Sequence, residues 1–249
     1  MPTTSSENVS LTEFITTIND DRNTNNEQNN NIDKFNFIPK RSYKLIGSLR
    51  SGLNILFITN YLNTDFADTL FENLKKVKYN SDEESMIKIL GKQIKIPRKQ
   101  IAFGEPGANY HFSGTNVKAY DWNRKDNEIN SIVARDLKDV SLMAGRTATV
   151  KFNYALVNNY LDETNSIGYH ADDEKELGAF PVIAGISLGS ERCIHFKSNN
   201  TGEVTKLSLP HNSMYIMFFP TNKFWKHAIP KSTRSIGQRI SITFRGISN

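Results

Sequence analysis

The sequence predicts a mainly β protein with flanking helices, its core an antiparallel barrel or sandwich. Three observations carry this expectation. Short apolar runs recur at near-regular spacing through the second half of the chain, over 152–157, 182–189, 192–196, 213–219 and 239–245. Many short strands so spaced are the mark of antiparallel barrels and sandwiches. The last run, Arg239-Ile240-Ser241-Ile242-Thr243-Phe244-Arg245, alternates strictly, with Arg, Ser, Thr and Arg on one strand face and Ile, Ile and Phe on the other. Helical periodicity is clear only near the N-terminal side, where Phe66, Leu70, Leu74 and Val77 share a face behind a cap at Asn63 or Thr64.

The chain has 249 residues, of which 38% are hydrophobic, enough for a sizeable core. Its 31 Lys and Arg against 26 Asp and Glu give a net charge of +5, compatible with a polyanionic partner. The single cysteine, Cys193, excludes an intramolecular disulfide framework, fits a reducing compartment, and reads as a small buried hydrophobe. No apolar run approaches membrane-spanning length, and the N-terminus lacks a basic region followed by an apolar one. The expectation is a soluble intracellular protein, nuclear or cytoplasmic.

Residues 1–40, with the run Asn25-Asn26-Glu27-Gln28-Asn29-Asn30-Asn31, hold too few apolar side chains to offset ordering entropy and read as a disordered leader before a domain over 41–249. Leu53 to Ile58 reads as a buried strand. Residues 87–99 read as a hairpin turning at Gly91, with five basic residues around apolar ones. Leu90 at such a turn could wedge between stacked bases, and an ordinary hairpin with a solvated basic face fits the same residues. Residues 103–114 are dense in Gly and aromatics, whose rings could stack on a planar ligand or pack into a core. Residues 121–148 are polar and partly helical, and 152–157 is a strand leading into Asn158-Asn159-Tyr160.

The chemistry centres on His170-Ala171-Asp172. Side chains alternate along a strand, so residues two apart project to one side and supply two metal ligands from one segment. Alone, this tripeptide is the text of an ordinary solvated turn. With His227 downstream it completes two His and one carboxylate on one face, leaving positions open as non-haem Fe(II) oxygenases require. Arg239 and Arg245 on one strand face suit a dicarboxylate co-substrate, since guanidinium grips carboxylate in a fork. His195, within strand text, and His211, beside Pro210 in a turn, read as structural.

Pro97-Arg98-Lys99-Gln100, Tyr110-His111-Phe112-Ser113-Gly114, Asn158-Asn159-Tyr160, Ile167 to Glu174, Pro220-Thr221-Asn222, Trp225-Lys226-His227 and Arg239 to Arg245 together resemble the AlkB-type Fe(II) and 2-oxoglutarate dependent dioxygenases, most of all the homologue that repairs alkylated duplex DNA. The resemblance implies a double-stranded β-helix (jelly-roll) core over 150–247 and a nucleotide-recognition lid over 80–120. It assigns Fe(II) to His170, Asp172 and His227. It assigns 2-oxoglutarate to Asn158, Tyr160, Arg239, Thr243 and Arg245, with Arg239 on the distal carboxylate and Ser241 standing where the family usually has Asn. It places Leu90, Gly91 and Lys92 at a base-displacing finger, Tyr110, His111 and Phe112 at the base-pocket lid, and Asp173 against the damaged base. Leu90, smaller than the aromatic finger of the duplex-repair relative, implies weaker action on duplex and a relative preference for single strands. The implied activity of this monomer is O2-dependent demethylation of 1-methyladenine and 3-methylcytosine in DNA, releasing formaldehyde and succinate. The same chemistry on RNA and an inactive nucleic-acid-binding scaffold are the alternatives.

Overall fold

In a computed structural model, the described residues are 41–48, 50–81, 83, 85–89, 92–112 and 115–248. The expected leader over 1–40 and the finger residues Leu90 and Gly91 lie outside them. Strands β1 (Tyr43–Ser48) and β2 (Leu53–Ile58) open the fold, followed by helix α1 (Thr64–Lys76). Asn63 caps α1 by accepting a hydrogen bond from the Phe66 amide, and Ala67, Leu70 and Leu74 form its buried stripe. Two hairpins follow, β3 (Met86–Ile89) with β4 (Lys92–Lys95) and β6 (Asn109–Phe112) with β7 (Thr115–Lys118). Between them runs β5 (Lys99–Gly104), and after them the two-residue β8 (Tyr120–Asp121).

Helix α2 (Ile129–Ala148) is longer than the polar text of 121–148 suggests. Its buried face mixes Val133, Leu137 and Val140 with Ser131, Asp136 and Ser141, and this dilutes the apolar periodicity. It ends at Thr149, whose left-handed backbone (φ 55°) turns the chain. The strand-rich part follows: β9 (Tyr154–Tyr160), β10 (Ile167–His170), β11 (Ile183–Gly189), β12 (Arg192–Ser198), β13 (Val204–Leu209) and β14 (Ser213–Met217). A one-turn helix α3 (Thr221–Phe224) leads into β15 (Trp225–Ile229), and β16 (Arg239–Arg245) closes the chain.

These strands form two layers. An eight-stranded sheet has the order β1-β2-β14-β11-β16-β9-β5-β8, and a four-stranded sheet the order β10-β15-β12-β13. The core cluster draws Leu156, Tyr215 and Met217 from the first and Ile194, Phe196, Leu209 and Ile229 from the second. This is a jelly-roll, as expected. On the far side of the large sheet Ile240, Ile242 and Phe244 are fully buried, with α2 against β5 and α1 against β11 and α2. The alternation read in β16 is thus real: one face is core and the other lines the interior.

Strand β5 pairs with β9 in the large sheet, so the structure divides the 80–120 stretch into two hairpins flanking a strand of the core layer. Strand β15, which carries His227, lies in short text between Pro220 and Pro230 and carries no alternation long enough to announce it. Among the described residues no helix is long and apolar enough to cross a membrane.

Candidate metal and co-substrate site

Strands β10 and β15 pair with His170 directly opposite His227. Their ring centres lie 4.1 Å apart. Strand β10 ends at His170, so Asp172 does not reach the site by strand alternation, as its spacing suggested. It arrives through a left-handed backbone (φ 53°), a conformation Asp tolerates better than most residues. Its carboxylate oxygens lie 3.6 Å from Nε2 of each imidazole. The three donors fall within 4.8 Å of one another and could hold a metal ion. The Asn222 amide donates to the Asp172 carbonyl at 3.4 Å, tying α3 to this turn.

The protonation states suit ligation. Nδ1 of His170 donates to the Gly168 carbonyl at 2.9 Å, which leaves the Nε2 lone pair facing the other donors. Burial, reinforced by the neighbouring His170, pushes the His227 imidazole down to about 3, so it is neutral at physiological pH. Burial opposes ionisation of Asp172, but the Arg245 guanidinium, charged and hydrogen-bonded to it, outweighs this and holds the carboxyl well below the usual carboxylate range. Nη2 of Arg245 contacts both Asp172 oxygens, at 3.2 and 3.1 Å.

The remaining β16 residues line the same cleft. Arg239, Ser241, Thr243 and Arg245 share it with Arg98, Asn158, Tyr160, Tyr215 and the three metal-ligand candidates. Arg239 is 1% exposed; its Nε donates to Ser187 Oγ at 2.8 Å and its guanidinium carbon lies 5.2 Å from the centre of the Tyr160 ring. Burial pushes its pKa down, and Nη1 of Arg239 and both Nε and Nη1 of Arg245 are buried without a partner among the described residues. A buried guanidinium lacking a carboxylate costs several kcal/mol by order of magnitude. These orphaned donors fit an anionic ligand between the two arginines.

Arg98 and Gln100 were not singled out as site residues by sequence reasoning. Arg98 Nε and Gln100 Nε2 both donate to Asn158 Oδ1, at 2.8 and 2.6 Å. This occupies the Asn158 carbonyl and leaves its NH2 group as the donor for a ligand. Their signal was the buried position of Gln100 and Arg98 next to β9, which the pairing Gln100↔Asn158 supplies and local text does not.

Tyr110, expected at the base-pocket lid, is fully buried in the core cluster: the Arg245 guanidinium carbon lies 4.9 Å from the centre of its ring, and its hydroxyl donates to Glu174 Oε2. Burial raises the Glu174 carboxyl. Asp173, expected against the base, is exposed, and the carboxylate turned to Tyr110 is the next one along. His111 is exposed and its Nδ1 lies 2.7 Å from Glu176 Oε1. Phe112 and Lys92 lie on β6 and β4, their side chains outside the described residues. His211 accepts from the Gly189 amide at 2.9 Å and faces Asp68, while His195 alternates with the core-facing Ile194 and Phe196 of β12. Neither joins the metal-ligand candidates. Cys193 is half-buried, and burial pushes its thiol up.

Two imidazoles and a carboxylate beside paired arginines inside a jelly-roll define an Fe(II) and 2-oxoglutarate oxygenase. Residues 54–245 match the 2OG-Fe(II) oxygenase superfamily, and the chain belongs to it. The cofactor is Fe(II), with 2-oxoglutarate and O2 as co-substrates.

Within that family the chain is 34% identical over 190 residues to the DNA oxidative demethylase ALKBH2 of Bos taurus, covering 73% of this chain and 64% of that protein. The Mus musculus ALKBH2 gives 34% identity over 73% of this chain and 75% of its own. The Rattus norvegicus alpha-ketoglutarate-dependent dioxygenase alkB homolog 3 is 36% identical over 105 residues, 39% of this chain and 36% of that one. The solved structure of OsALKBH1 superposes with a TM-score of 0.50 at 14% identity, over 82% of this chain and 99% of that one, a likeness of fold.

Proposed function

We propose that this protein demethylates N-alkylated bases, 1-methyladenine and 3-methylcytosine, in DNA. The observation that carries the proposal is the acidic turn that follows the metal-ligand candidate Asp172, where Asp173 is exposed and Glu174 half-buried. Both lesions are cationic near neutral pH, so carboxylates beside the metal-ligand candidates favour them over undamaged bases. The similarity to ALKBH2 supports the same substrate class.

Bound Fe(II), 2-oxoglutarate and O2 supply the oxidation: 2-oxoglutarate becomes succinate and CO2, and the N-methyl carbon leaves as formaldehyde. His170, Asp172 and His227 would hold the metal. Arg239, held by Ser187 in a cleft that Tyr160 and Thr243 also line, would pair with the distal carboxylate of the co-substrate. Asn158, its carbonyl engaged by Arg98 and Gln100, presents its NH2 to the proximal end, and Arg245 keeps Asp172 ionised and fixed in orientation. Ser241 lies between these two ends on β16, opposite Asn158, with a shorter reach than Asn at that position. The base must leave its stack to enter, and the carboxylates of Asp173 and Glu174 would then flank it with the methyl group toward the metal.

Formaldehyde release tests the proposal. Oligonucleotides of one sequence carrying either lesion, as DNA or RNA and as single strand or duplex, are incubated with Fe(II) with and without 2-oxoglutarate. The expected result is 2-oxoglutarate-dependent release from DNA, greater for single strands. Release from RNA alone, or none from any of them, overturns it.

A further inference from the structure

The outer face of the four-stranded sheet carries positive charge that the fold leaves unanswered. Alternation turns Phe196 and His227 inward, so their neighbours on β12 and β15 point out. Lys197 stands directly opposite Lys226 across β12 and β15, and His195 directly opposite Lys206 across β12 and β13. All three lysines are exposed. Two lysines directly opposed across a sheet weaken its pairing, while burial and Lys206 hold His195 toward its neutral form. None of these lysines is in an ion pair among the described residues. The four strands β10, β12, β13 and β15 contain no Asp or Glu at all; the nearest along the chain, Glu191 and Glu203, sit in turns at their ends. Beside the lysines Tyr169 is 43% exposed, with Lys197 Nζ 5.8 Å from its ring centre.

We propose that this face is a track for single-stranded nucleic acid outside the cleft, its phosphates on Lys197, Lys206 and Lys226 and a base on the Tyr169 ring. The proposal rests on nucleic acid being the substrate. A cationic surface alone would suit any polyanion; the exposed ring among the lysines is what singles out a strand with stackable bases. Tyr169 and Lys226 each precede a metal-ligand candidate, His170 and His227, that points through the sheet to the other side. The track therefore holds the strand one sheet-thickness from the cleft and contributes affinity.

The test is fluorescence anisotropy of the whole protein with a labelled, unmethylated single-stranded DNA 20-mer across a salt series. Replacing Lys197, Lys206 and Lys226 together by Gln should weaken binding at least roughly tenfold at about 100 mM salt and flatten the slope of log K against log salt by about 2. Tyr169→Ala should weaken binding roughly five- to tenfold with the slope unchanged. Lys75→Gln with Lys76→Gln and Lys151→Gln removes the same charge elsewhere and should leave the slope as it is. An unchanged slope in the track variant, or an equal change in the control, overturns the proposal. Poly-glutamate of matched charge binding as tightly, with the same loss, makes the face an acidic-peptide site and also overturns it. Formaldehyde release from methylated oligonucleotides is measured in parallel on the unsubstituted protein. A flattened slope without demethylation keeps the track and discards the demethylase, and demethylation with an unchanged slope does the reverse.

Discussion

His170 and Asp172 differ in what their removal does, because only one of them answers a buried charge. His170 is part-exposed in the cleft and its Nδ1 donates to the Gly168 carbonyl, so His170→Ala leaves no buried charge unpaired and should abolish turnover with a melting temperature near that of the unsubstituted protein. Asp172 neutralises Arg245, which is 4% exposed and has two further nitrogens without partners. Asp172→Ala should abolish turnover and also destabilise the fold by about 3–5 kcal/mol, the cost of stranding a buried cation. Urea unfolding of both variants checks the contrast, and equal stabilities would contradict the ion pair's role. At Arg239 the expectation is different in kind. Arg239→Lys keeps the charge and loses the fork, so it should raise KM for 2-oxoglutarate at least roughly tenfold and leave the affinity for oligonucleotide unchanged. A parallel loss of oligonucleotide binding would place Arg239 elsewhere in the mechanism.

At the scale of the element, the Tyr215 ring of β14 lies over residue 185 of β11 because that residue has no side chain. Gly185 pairs with Tyr215, and a Cβ there would lie 2.3 Å from the tyrosine ring, inside the wall of the cleft. Gly185→Ala should therefore push Tyr215 into the co-substrate space and cost about 1–3 kcal/mol from overpacking. Gly185→Ala with Tyr215→Leu should be less damaging than the sum of the two singles, measured as a double-mutant cycle by urea unfolding. Additive losses would mean that the two residues do not share this contact. The α1 cap makes a smaller, separable contribution: Asn63→Ala removes the acceptor of the Phe66 amide and should cost about 1 kcal/mol with activity intact.

For the whole molecule, the buried imidazole of His227 couples stability to pH. Its pKa is lowered from 6.5 to about 3, so between those values the unfolded chain binds a proton that the folded chain does not. Its contribution is fully present above the unfolded value and lost as pH falls, by roughly 1 kcal/mol per pH unit. Asp172 acts in the same direction only at lower pH, in the range where carboxylates protonate. The metal-free protein should thus lose more stability between about pH 7 and about pH 5 than its His227→Gln variant does; equal losses would contradict a buried neutral imidazole. The same residues show how far local text reaches. The β16 alternation, the helix from Thr64, the strand from Leu53 and the three metal-ligand candidates were legible, because period and residue type are written locally. The strands β1, β5, β13 and β15 were not, since their pattern is short or broken, and for β5 and β15 the pairing also comes from neighbours distant along the chain. Sequence alone determined which side chains could bind a metal and an anion. Only the tertiary structure decided that Asp172 gets there by a left-handed turn, that Glu174 and not Asp173 faces Tyr110, and that Arg98 and Gln100 aim Asn158. The reason is physical: backbone direction after a strand ends, and the register between strands far apart in sequence, are set by packing across the two sheets.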